Sequence, residues 1–265
     1  MTRKESTMFT PSRSLITGAS AGIGTALAHR LAERGSDLVL VARREDRLRD
    51  LASELESAHG ITCDVVALDL SGDRPGAMLR ARVEGDVDLV VNNAGIAIQG
   101  SFIDAEAADL GRVIAVDMAA LVDVCHAFLP DMAARGAGTI LNVASTTAFQ
   151  PVPTLAVYAA AKAFVLSFTQ ALWCEARTHG VRVMALAPGP TATEFFDVIG
   201  DDAAIVGSMQ TADQVARTAL SALDRRRPPL YVISGRRNTL AAAGARLTPN
   251  RLLLPMMTRS MRHFS

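Results

Sequence analysis

The chain has 265 residues, 49% of them hydrophobic, and carries 27 basic and 27 acidic side chains, so it can bury one large core and has no net charge that would favour nucleic acid. Its three widely spaced cysteines form no CxxC pair, which argues against a zinc site and a disulfide framework and fits a reducing cytosol. The N-terminal segment lacks the apolar stretch of a secretory signal, and no apolar run reaches the length of a membrane span.

Short apolar runs alternate with helical patterns along most of the chain. We predict strands at Ser14–Thr17, Asp37–Ala42, Asp64–Leu68, Val87–Asn92, Thr139–Val143, Val181–Ala187 and Leu230–Ile233. Their near-continuous Val, Leu and Ile content is typical of a parallel sheet that helices cover on both faces. Two long helices are predicted at about residues 108–134 and 154–178. The alternation predicts an α/β fold, with a doubly wound parallel sheet of about seven strands in a single domain.

The sequence TGASAGIG, from Thr17 to Gly24, lies between the first predicted strand and the first helix. Glycine lets a backbone turn tightly and approach a pyrophosphate without a Cβ atom, and the N-terminus of the following helix favours an anion. Gly18, Gly22 and Gly24 follow the spacing GxxxGxG and not the GxGxxG of the general dinucleotide fingerprint. The pattern predicts a dinucleotide site, although glycine-rich turns also occur for packing reasons alone.

Two arginines, Arg43 and Arg44, follow the second predicted strand. Dehydrogenases that prefer NAD usually carry an acidic residue at this position, where it binds the ribose hydroxyls. A carboxylate would repel a 2′-phosphate, whereas arginine binds one bidentately, and Ser20 can add a hydroxyl donor. We therefore predict NADP(H) as the cofactor, with Arg43 as the stronger phosphate ligand. The alternative is that both arginines only begin a solvated helix.

Tyr158 and Lys162 form the sequence YAAAK within the second long helix. The chain has only one other lysine, Lys4, and 25 arginines, so a lysine inside the folded body suggests a task that arginine cannot perform. A spacing of four residues places both side chains on one face of a helix. From this pair alone, a chance surface lysine explains the sequence equally well.

Five motifs occur in order along the chain. They are TGASAGIG, NNAG at Asn92–Gly95, Ser145 thirteen residues before Tyr158, YAAAK, and PGPTAT at 188–193. Over about residues 12–235 the sequence resembles the short-chain dehydrogenase/reductase family, in which these motifs appear in the same order. The resemblance implies a Rossmann-type fold and hydride transfer between a nicotinamide and a carbonyl or alcohol. The YAAAK and PGPTAT regions are similar to a subgroup of 3-oxoacyl and ketone reductases.

The resemblance implies that Tyr158 is the general acid/base, donating a proton to a carbonyl oxygen or accepting one from an alcohol. An unperturbed tyrosine has a pKa of about 10, and the Lys162 ammonium one turn away would favour the phenolate. In the family this lysine also binds the nicotinamide ribose. Ser145 would polarise the substrate oxygen, and its alternative role is that of an ordinary strand-end hydroxyl.

The resemblance also implies a set of cofactor-binding residues. The set comprises Gly18, Ser20, Gly22, Ile23, Gly24, Arg43, Asp69, Asn92, Ala94, Gly95, Tyr158, Lys162, Pro188, Gly189 and Thr193. Asn92, Ala94 and Gly95 resemble the family's wall beside the adenosine, and the residues from Pro188 resemble the segment over the nicotinamide. Asp69 resembles the acidic residue that binds the adenine amine, and it could equally cap a helix. No metal site is predicted.

Asp117, in the sequence VIAVDMAAL, departs from the family pattern. Many relatives carry asparagine at this position, where the backbone carbonyl holds a water linked to the lysine and the side chain stabilises a helix distortion. A carboxylate accepts hydrogen bonds but donates none unless it is protonated. A negative charge near Lys162 would also offset the effect of that lysine on Tyr158. We expect catalysis to persist with an altered pH profile.

The substrate cleft is predicted to be mostly apolar, which favours a lipophilic ketone or aldehyde, or its alcohol. Its candidate residues are Ile96, Thr147, Phe149, Gln150, Thr154, Phe195 and Phe196, any of which could instead belong to the core. The stretch from Phe195 to Gln210 is predicted to be a mobile lid that carries specificity. A catalytically weak NADP-binding sensor or scaffold protein is the alternative function, and Asp117 is its only support.

Three segments are predicted: a flexible N-terminal tail at 1–11, the catalytic domain at 12–235 and a basic, apolar extension at 236–265. From Arg225 onward the chain has nine arginines and no acidic residue. The extension is predicted to pack on the domain or on another subunit, or to contact a membrane peripherally. The family resemblance implies a cytoplasmic homodimer or homotetramer that pairs through the two long helices.

Overall fold

A seven-stranded parallel sheet forms the centre of the computed structural model, which describes residues 8–195 and 208–261. Its strands are β1 (Arg13–Thr17), β2 (Asp37–Ala42), β3 (Cys63–Ala67), β4 (Leu89–Asn92), β5 (Gly138–Val143), β6 (Val181–Ala187) and β9 (Tyr231–Ile233), in the order β3-β2-β1-β4-β5-β6-β9. Two short strands, β7 (Thr191–Ala192) and β8 (Gln210–Thr211), pair beside it. The predicted α/β fold with a doubly wound sheet is confirmed.

The strand predictions agree with the structure to within one residue at all but one boundary. β4 begins at Leu89 and not at Val87, because its ladder with β1 starts where Leu89 pairs with Ser14. The agreement has a simple cause. A strand that is buried on both faces needs apolar residues at every position, and such runs stand out in a sequence.

Helices cover both faces of the sheet. They are α1 (Gly22–Ala32), α2 (Glu45–His59), α3 (Pro75–Arg82), α4 (Ala107–Ile114), α5 (Leu121–Arg135), α6 (Ala156–Arg177), α7 (Ala212–Leu223), α8 (Arg236–Leu247) and α9 (Asn250–Met261). One apolar cluster lies between the sheet and α1, α2 and α7, and a second lies between the sheet and α3, α5 and α6. These two layers hold the sheet rigid, which fixes the loops that leave its strands.

The long helix predicted at 108–134 is not a single α-helix. A π-helical turn at Ala115–Ala120 separates α4 from α5, and Asp117 lies within it. A π turn adds a residue to the ladder and is frequent at functional sites. Helical periodicity could not show it, because the apolar spacing continues on both sides. The second long helix, predicted at 154–178, is α6, at Ala156–Arg177.

Two helical stretches, 107–135 and 156–177, are long and apolar enough to span a membrane, contrary to the sequence expectation. In the fold they are the α4–α5 pair and α6, and both pack against the sheet. Phe9, in the predicted flexible tail, is buried, and its N–H donates to Asp224 at 2.8 Å. Residues 1–7 and most of the predicted lid, including Phe196, lie outside the described part of the chain.

Candidate active site

The glycine loop connects β1 to α1 and needs glycine at each of its three positions. Gly18 and Gly22 have φ angles of +66° and +60°, which strain any residue with a Cβ atom. A Cβ atom on Gly24 would lie 2.2 Å from the Gly18 carbonyl oxygen. The loop therefore packs closely against α1, and its backbone faces a cavity that Gly18 and Gly22 line.

Asn93 fixes the position of this loop, a role that was not predicted from the sequence. Its side-chain amide donates to the carbonyl oxygens of Thr17 and Gly18 at 2.9 and 3.2 Å. In return, the Thr17 hydroxyl accepts hydrogen bonds from the backbone N–H groups of Asn93 and Ala94, both at 3.0 Å. The NNAG motif thus ties the end of β4 to the glycine loop. A signal was available, since Asn93 lies in the motif directly beside Asn92.

Asn92 itself does not line the cavity. Its side chain is buried and donates to Asn142 at 2.9 Å and to the Cys125 sulfur at 3.2 Å. Successive side chains of a strand point to opposite faces, so Asn92 at the end of β4 faces the α5 layer. Asn93, Ala94 and Gly95 line the cavity, whereas Asn92, which was predicted to form part of its wall, does not.

The arginines after β2 lie at one end of the cavity. Arg44 donates to the Ser20 hydroxyl at 3.2 Å and pairs with Glu194 at 2.8 Å, and Arg47 pairs with the same carboxylate at 2.5 Å. These two guanidinium groups hold the pKa of Glu194 below its usual range. Arg43 also lines the cavity. The position of the Glu194 carboxylate shows that an anion fits between Arg44 and Arg47.

Asp69, after β3, lines the same end of the cavity. Its carboxylate accepts hydrogen bonds from the Ser71 N–H at 2.9 Å and from the Ser71 hydroxyl at 2.8 Å. These bonds hold the pKa of Asp69 below its usual range, and the nearby Arg43 lowers it further. Asp69 therefore closes a local turn and lines the cavity, and it caps no described helix, because α3 begins at Pro75 and its N-cap residue is Arg74.

The cavity has a volume of about 610 Å³ and opens at the carboxyl ends of the strands. Loops that follow six strands, β1 to β6, line it, and the strand order reverses between β1 and β4. In open α/β sheets such a reversal point is where dinucleotides bind. The exposed glycine backbone, the arginines at one end and the buried polar groups at the other fit an elongated anionic dinucleotide.

The Ser145 and Tyr158 side chains meet at the other end of the cavity. Ser145 follows β5, and its hydroxyl accepts a hydrogen bond from the Thr147 N–H at 3.1 Å, which fixes its orientation. Burial raises the pKa of the Tyr158 phenol, whereas the Lys162 charge and a hydrogen bond with Ser145 lower it. The first helical turn of α6 carries Tyr158 to this position. The predicted pair of polar groups therefore lies together beside the cavity.

Lys162 lies one turn further along α6, with its side chain only 5% exposed. Its ammonium nitrogen is 5.5 Å from the centre of the Tyr158 ring, donates to the Val143 carbonyl at 3.2 Å and lies 3.0 Å from the Asp117 carboxylate. Burial lowers the pKa of Lys162, and the nearby Asp117 raises it above the ordinary lysine value. A surface lysine, the alternative left open by the sequence, is thereby excluded.

The segment after β6 forms one edge of the cavity, as predicted. Pro188, Gly189 and Thr193 all line it, and a Cβ atom on Gly189 would lie 2.3 Å from the Asn238 side chain. Thr193 lies directly over the glycine loop, because a Cβ atom on Gly22 would be 3.0 Å from its methyl group. The segment therefore bridges from the sheet to the loop.

Apolar side chains surround Tyr158 on the side away from Lys162. Phe195 lies 5.5 Å from it, measured between ring centres, and Met257 of α9 is buried beside it. Of the predicted cleft residues, Ile96, Thr147, Gln150 and Phe195 line the cavity. The other two described candidates lie elsewhere: Phe149 packs against Tyr231 at 5.6 Å, and Thr154 has a left-handed φ of 64° and accepts from the Gly100 N–H.

Met257 had no signal in the sequence, because it is separated from Tyr158 by about a hundred residues and follows no motif. The tertiary structure brings α9 over the site. Val152 and Leu155 also join this apolar wall. The wall of the cavity beside Tyr158 is thus largely apolar, with polar groups from Ser145, Thr146, Thr147 and Gln150.

Known proteins resemble this chain in sequence. A sulfoacetaldehyde reductase of Chromohalobacter salexigens is 39% identical over 226 residues, which make up 82% of this chain and 86% of that protein. A very-long-chain 3-oxoacyl-CoA reductase of Bos taurus is 32% identical over 185 residues, or 68% of this chain and 59% of that protein. These names agree with the predicted subgroup of carbonyl reductases.

Among solved structures, a short-chain dehydrogenase from Sphingobium yanoikuyae in complex with NADPH superposes with a TM-score of 0.80 and 34% identity. The match covers 92% of this chain and 95% of that one. The family profile described as short chain dehydrogenase matches residues 13–204. The chain therefore belongs to the short-chain dehydrogenase family, and it is a nicotinamide-dependent oxidoreductase that acts on carbonyl or alcohol groups.

Proposed function

We propose that the protein is an NADP(H)-dependent oxidoreductase of lipophilic carbonyls or their alcohols, with Tyr158 as its general acid/base. The observation that carries this proposal is the meeting of Ser145, Tyr158 and a charged Lys162 at one end of a cavity whose other end carries arginines. A binding protein without catalysis could use Lys162 to hold the ribose, but it would have no use for a Ser145 hydroxyl that hydrogen-bonds to the Tyr158 phenol. The intact constellation therefore speaks against the alternative of a sensor or scaffold.

In reduction, the carbonyl carbon accepts a hydride while its oxygen accepts the phenolic proton of Tyr158. Bound nicotinamide supplies the hydride. The Ser145 hydroxyl polarises the carbonyl oxygen, and the ammonium of Lys162 stabilises the phenolate that forms as the proton leaves. The phenolate then regains a proton from solvent. In oxidation the same groups act in reverse, and the phenolate accepts the alcohol proton.

The glycine loop and the residues after the strands would hold the cofactor. Gly18, Gly22, Ile23 and the N-terminus of α1 lie where a pyrophosphate would bind, and Gly24 lets the helix approach. Asn93, Ala94 and Gly95 would line the adenosine side. Lys162 would reach the ribose, and the segment with Pro188, Gly189 and Thr193 would cover the nicotinamide. Asp69 remains a candidate for the adenine.

Arg44→Ala should lower kcat/KM with NADPH by about 10–100-fold and leave the value with NADH nearly unchanged. Charge-assisted hydrogen bonds contribute about 1.5–3 kcal/mol, and Arg44 already holds a carboxylate beside Ser20. Steady-state kinetics with both cofactors measure the effect. Arg43→Ala, tested in parallel, decides which arginine binds the phosphate.

Arg49→Ala is the matched control for this pair, because Arg49 lies in the first turns of α2, directly after the pair, is 72% exposed and pairs only with Glu45 among its described neighbours. We expect it to leave both cofactors unaffected. An equal loss with NADPH and NADH in the Arg44 and Arg43 variants would contradict the assignment of the 2′-phosphate site.

The apolar wall around Tyr158 supports a lipophilic substrate. A panel of ketones and aldehydes of increasing apolar size, followed by NADPH oxidation, should show kcat/KM rising with the size of the apolar group. Small anionic aldehydes should react poorly, since the side chains of Val152, Leu155, Phe195 and Met257 around Tyr158 are apolar. Cofactor-induced stabilisation without turnover over the whole panel would favour the sensor.

We also infer that the protein is a cytoplasmic homodimer or homotetramer that pairs through α4–α5 and α6. The partly buried faces of these helices support this inference, with Phe164 and Phe168 stacked 5.9 Å apart between ring centres. Three free cysteines fit a reducing compartment. Light scattering should give twice or four times the mass of the 28.0 kDa chain, and a monomer would contradict the proposal.

Peripheral membrane contact through the C-terminal extension is a further proposal. Leu240 and Leu247 lie two turns apart on α8 and are 73% and 85% exposed, beside the exposed Arg236 and Arg237. Such a face suits an anionic lipid surface. The protein should sediment with vesicles that contain anionic lipid, and the double variant Leu240→Glu, Leu247→Glu should not. Equal sedimentation of both proteins would contradict it.

A further inference from the structure

Asp117 and Lys162 form an ion pair in the interior of the protein. Their side chains are 0% and 5% exposed, and the carboxylate oxygen lies 3.0 Å from the ammonium nitrogen. The second carboxylate oxygen accepts a hydrogen bond from the Ile96 N–H at 2.8 Å. Asp117 thus links the π-helical turn to the loop after β4 and to α6. An asparagine at this position could make the bond to Ile96, but it could not supply the charge.

The loop after β4 is shaped around this pair. A Cβ atom on Gly95 would lie 3.0 Å from the Asp117 carboxylate and 3.1 Å from the Lys162 nitrogen. Gly95 and Lys162 both line the cavity, so the Asp117 carboxylate lies directly behind the wall of the proposed cofactor site. Only a residue without a side chain leaves room for both charged groups so close to that wall.

Burial by itself would remove the proton from Lys162. An ammonium that is buried away from water loses its hydration, which can lower the pKa of a lysine by several units. An opposite charge within about 4–6 Å opposes this effect. In this site burial is the largest influence on the pKa of Lys162, yet that pKa remains above the ordinary value because of Asp117 and Tyr158. The charge of the lysine therefore depends on its neighbours.

We propose that Asp117 is a positioning residue that keeps Lys162 protonated and aimed at Tyr158, so that proton donation by Tyr158 extends to alkaline pH. Asp117 acts through Lys162 and does not touch the substrate. The proposal deepens the function proposed above, and only its kinetic consequence rests on that function. The state of the lysine can be measured without any turnover.

The polar groups that surround Lys162 come from four elements. The π-helical turn contributes Asp117, α6 contributes Tyr158, and the end of β5 contributes the Val143 carbonyl and the Ser145 hydroxyl. The loop after β4 contributes the backbone around Gly95. Among the described residues, Asp117 is the one carboxylate that acts on both Lys162 and Tyr158.

The sign of the effect follows from these charges. Removing the negative charge of Asp117 leaves Lys162 buried without its partner, so the pKa of Lys162 falls. As long as the lysine remains charged, its unopposed attraction for the phenolate also lowers the pKa of Tyr158. Reduction needs both the phenol of Tyr158 and the ammonium of Lys162. Either change therefore lowers the pH above which Tyr158 can no longer donate its proton. The alkaline limit of reduction must therefore move down.

The lysine content of the chain allows a direct test. In the variant Lys4→Arg, Lys162 is the only lysine, so protein labelled at the lysine side chain gives one NMR signal that titrates with pH. With Asp117 present, we expect this signal to titrate at or above the ordinary value of about 10.4. With Asp117→Asn it should titrate at least about one pH unit lower. A wild-type value below the ordinary one would overturn the proposal without any Asp117 variant.

Thr169→Val is the matched control. Thr169 is fully buried on the same helix and bonds to Asn142 at 3.0 Å, so its loss disturbs the packing but no charge. The lysine signal should be unchanged in this variant. If the lysine signal titrated at the same pH in the Asp117→Asn variant as in the Lys4→Arg parent, Asp117 would be merely structural and the proposal would fail.

Kinetics test the link to catalysis. The alkaline limit of kcat for carbonyl reduction should move to lower pH by at least about one unit in Asp117→Asn, with KM nearly unchanged. Asp117→Glu keeps the negative charge and should therefore keep the alkaline limit of kcat near its wild-type pH. A shifted lysine signal with an unmoved kinetic limit would overturn the catalytic part. Absence of turnover in every variant would instead refute the proposed function and leave the titration result standing.

Discussion

Replacing Tyr158 by phenylalanine should lower kcat/KM for carbonyl reduction by roughly 10²–10⁴-fold, the range that general acid/base groups contribute. The substitution removes only the hydroxyl, so the apolar contacts of the ring with Phe195 and Met257 remain. Ser145 cannot replace Tyr158 as the proton donor, because an alcohol hydroxyl is a much weaker acid than a phenol. Steady-state turnover of a lipophilic ketone with NADPH measures the loss.

Cofactor binding separates a catalytic effect from misfolding in this variant. NADPH should still raise the melting temperature of the Tyr158→Phe protein, since the glycine loop and Arg44 lie at the far end of the cavity. Tyr231→Phe is the matched control, because Tyr231 is the only other tyrosine and packs against Phe149 outside the site. Turnover by Tyr158→Phe equal to that of the wild type would refute the assigned mechanism.

Gly24→Ala should destabilise the protein by about 2 kcal/mol and weaken NADPH binding at least about tenfold. Alanine normally favours a helix over glycine by about 1 kcal/mol, and Gly24 lies within α1. The new Cβ atom, however, would lie 2.2 Å from the Gly18 carbonyl oxygen and 2.7 Å from the Asn93 amide. Because both belong to the loop that approaches the cofactor, relief of the clash costs up to about 3 kcal/mol and distorts the binding backbone.

Thermal unfolding and a binding titration with NADPH measure these two effects. Gly244→Ala is the matched control, because a Cβ atom on Gly244, in the interior of α8, would have no described neighbour within 4 Å. That variant should gain about 0.5–1 kcal/mol and bind NADPH normally. If Gly24→Ala behaved in the same way, the close contact between α1 and the glycine loop would not exist in solution.

Lysine is nearly absent from this chain, so its presence at position 162 needs a physical reason. Arginine serves every other basic position of the folded domain, including the paired contacts of Arg34 with Asp224 and of Arg80 with Asp131. A guanidinium is broad and planar, so it would not fit between Asp117 and the Tyr158 ring beside Gly95. Its charge is also delocalised, so Asp117 would attract it less strongly than the compact ammonium of a lysine. Lysine at this position is therefore a requirement of space as well as of charge.

The fold was predictable because most positions of the buried strands are apolar and most connections between them have helical spacing. β2 and β6 have the predicted boundaries, since both runs are apolar up to the residue where the ladder ends. The π-helical turn at Ala115–Ala120 was implied only by the resemblance, in which the residue at the position of Asp117 stabilises a helix distortion; the helical spacing of apolar residues did not predict it.

The candidate catalytic residues were predicted for a different reason, namely that the ordered motifs resemble those of the short-chain dehydrogenase/reductase family. Tyr158 and Lys162 lie one helical turn apart, and the glycines of the loop lie within seven residues of each other, so local geometry already places them together. Asn92 was assigned wrongly beside Asn93 because a one-residue difference on a strand reverses the face, and only the position of the sheet edge decides which residue looks into the cavity.

The sequence by itself thus determined the α/β fold, the family and the pairing of tyrosine with lysine, since these depend on local spacing and on ordered motifs. The tertiary structure decided what surrounds that pair. It brought Met257 from the C-terminus to Tyr158 and placed the Asp117 carboxylate 3.0 Å from Lys162. Contacts between residues far apart in the chain depend on how helices pack across the sheet. No short pattern in the sequence records that packing.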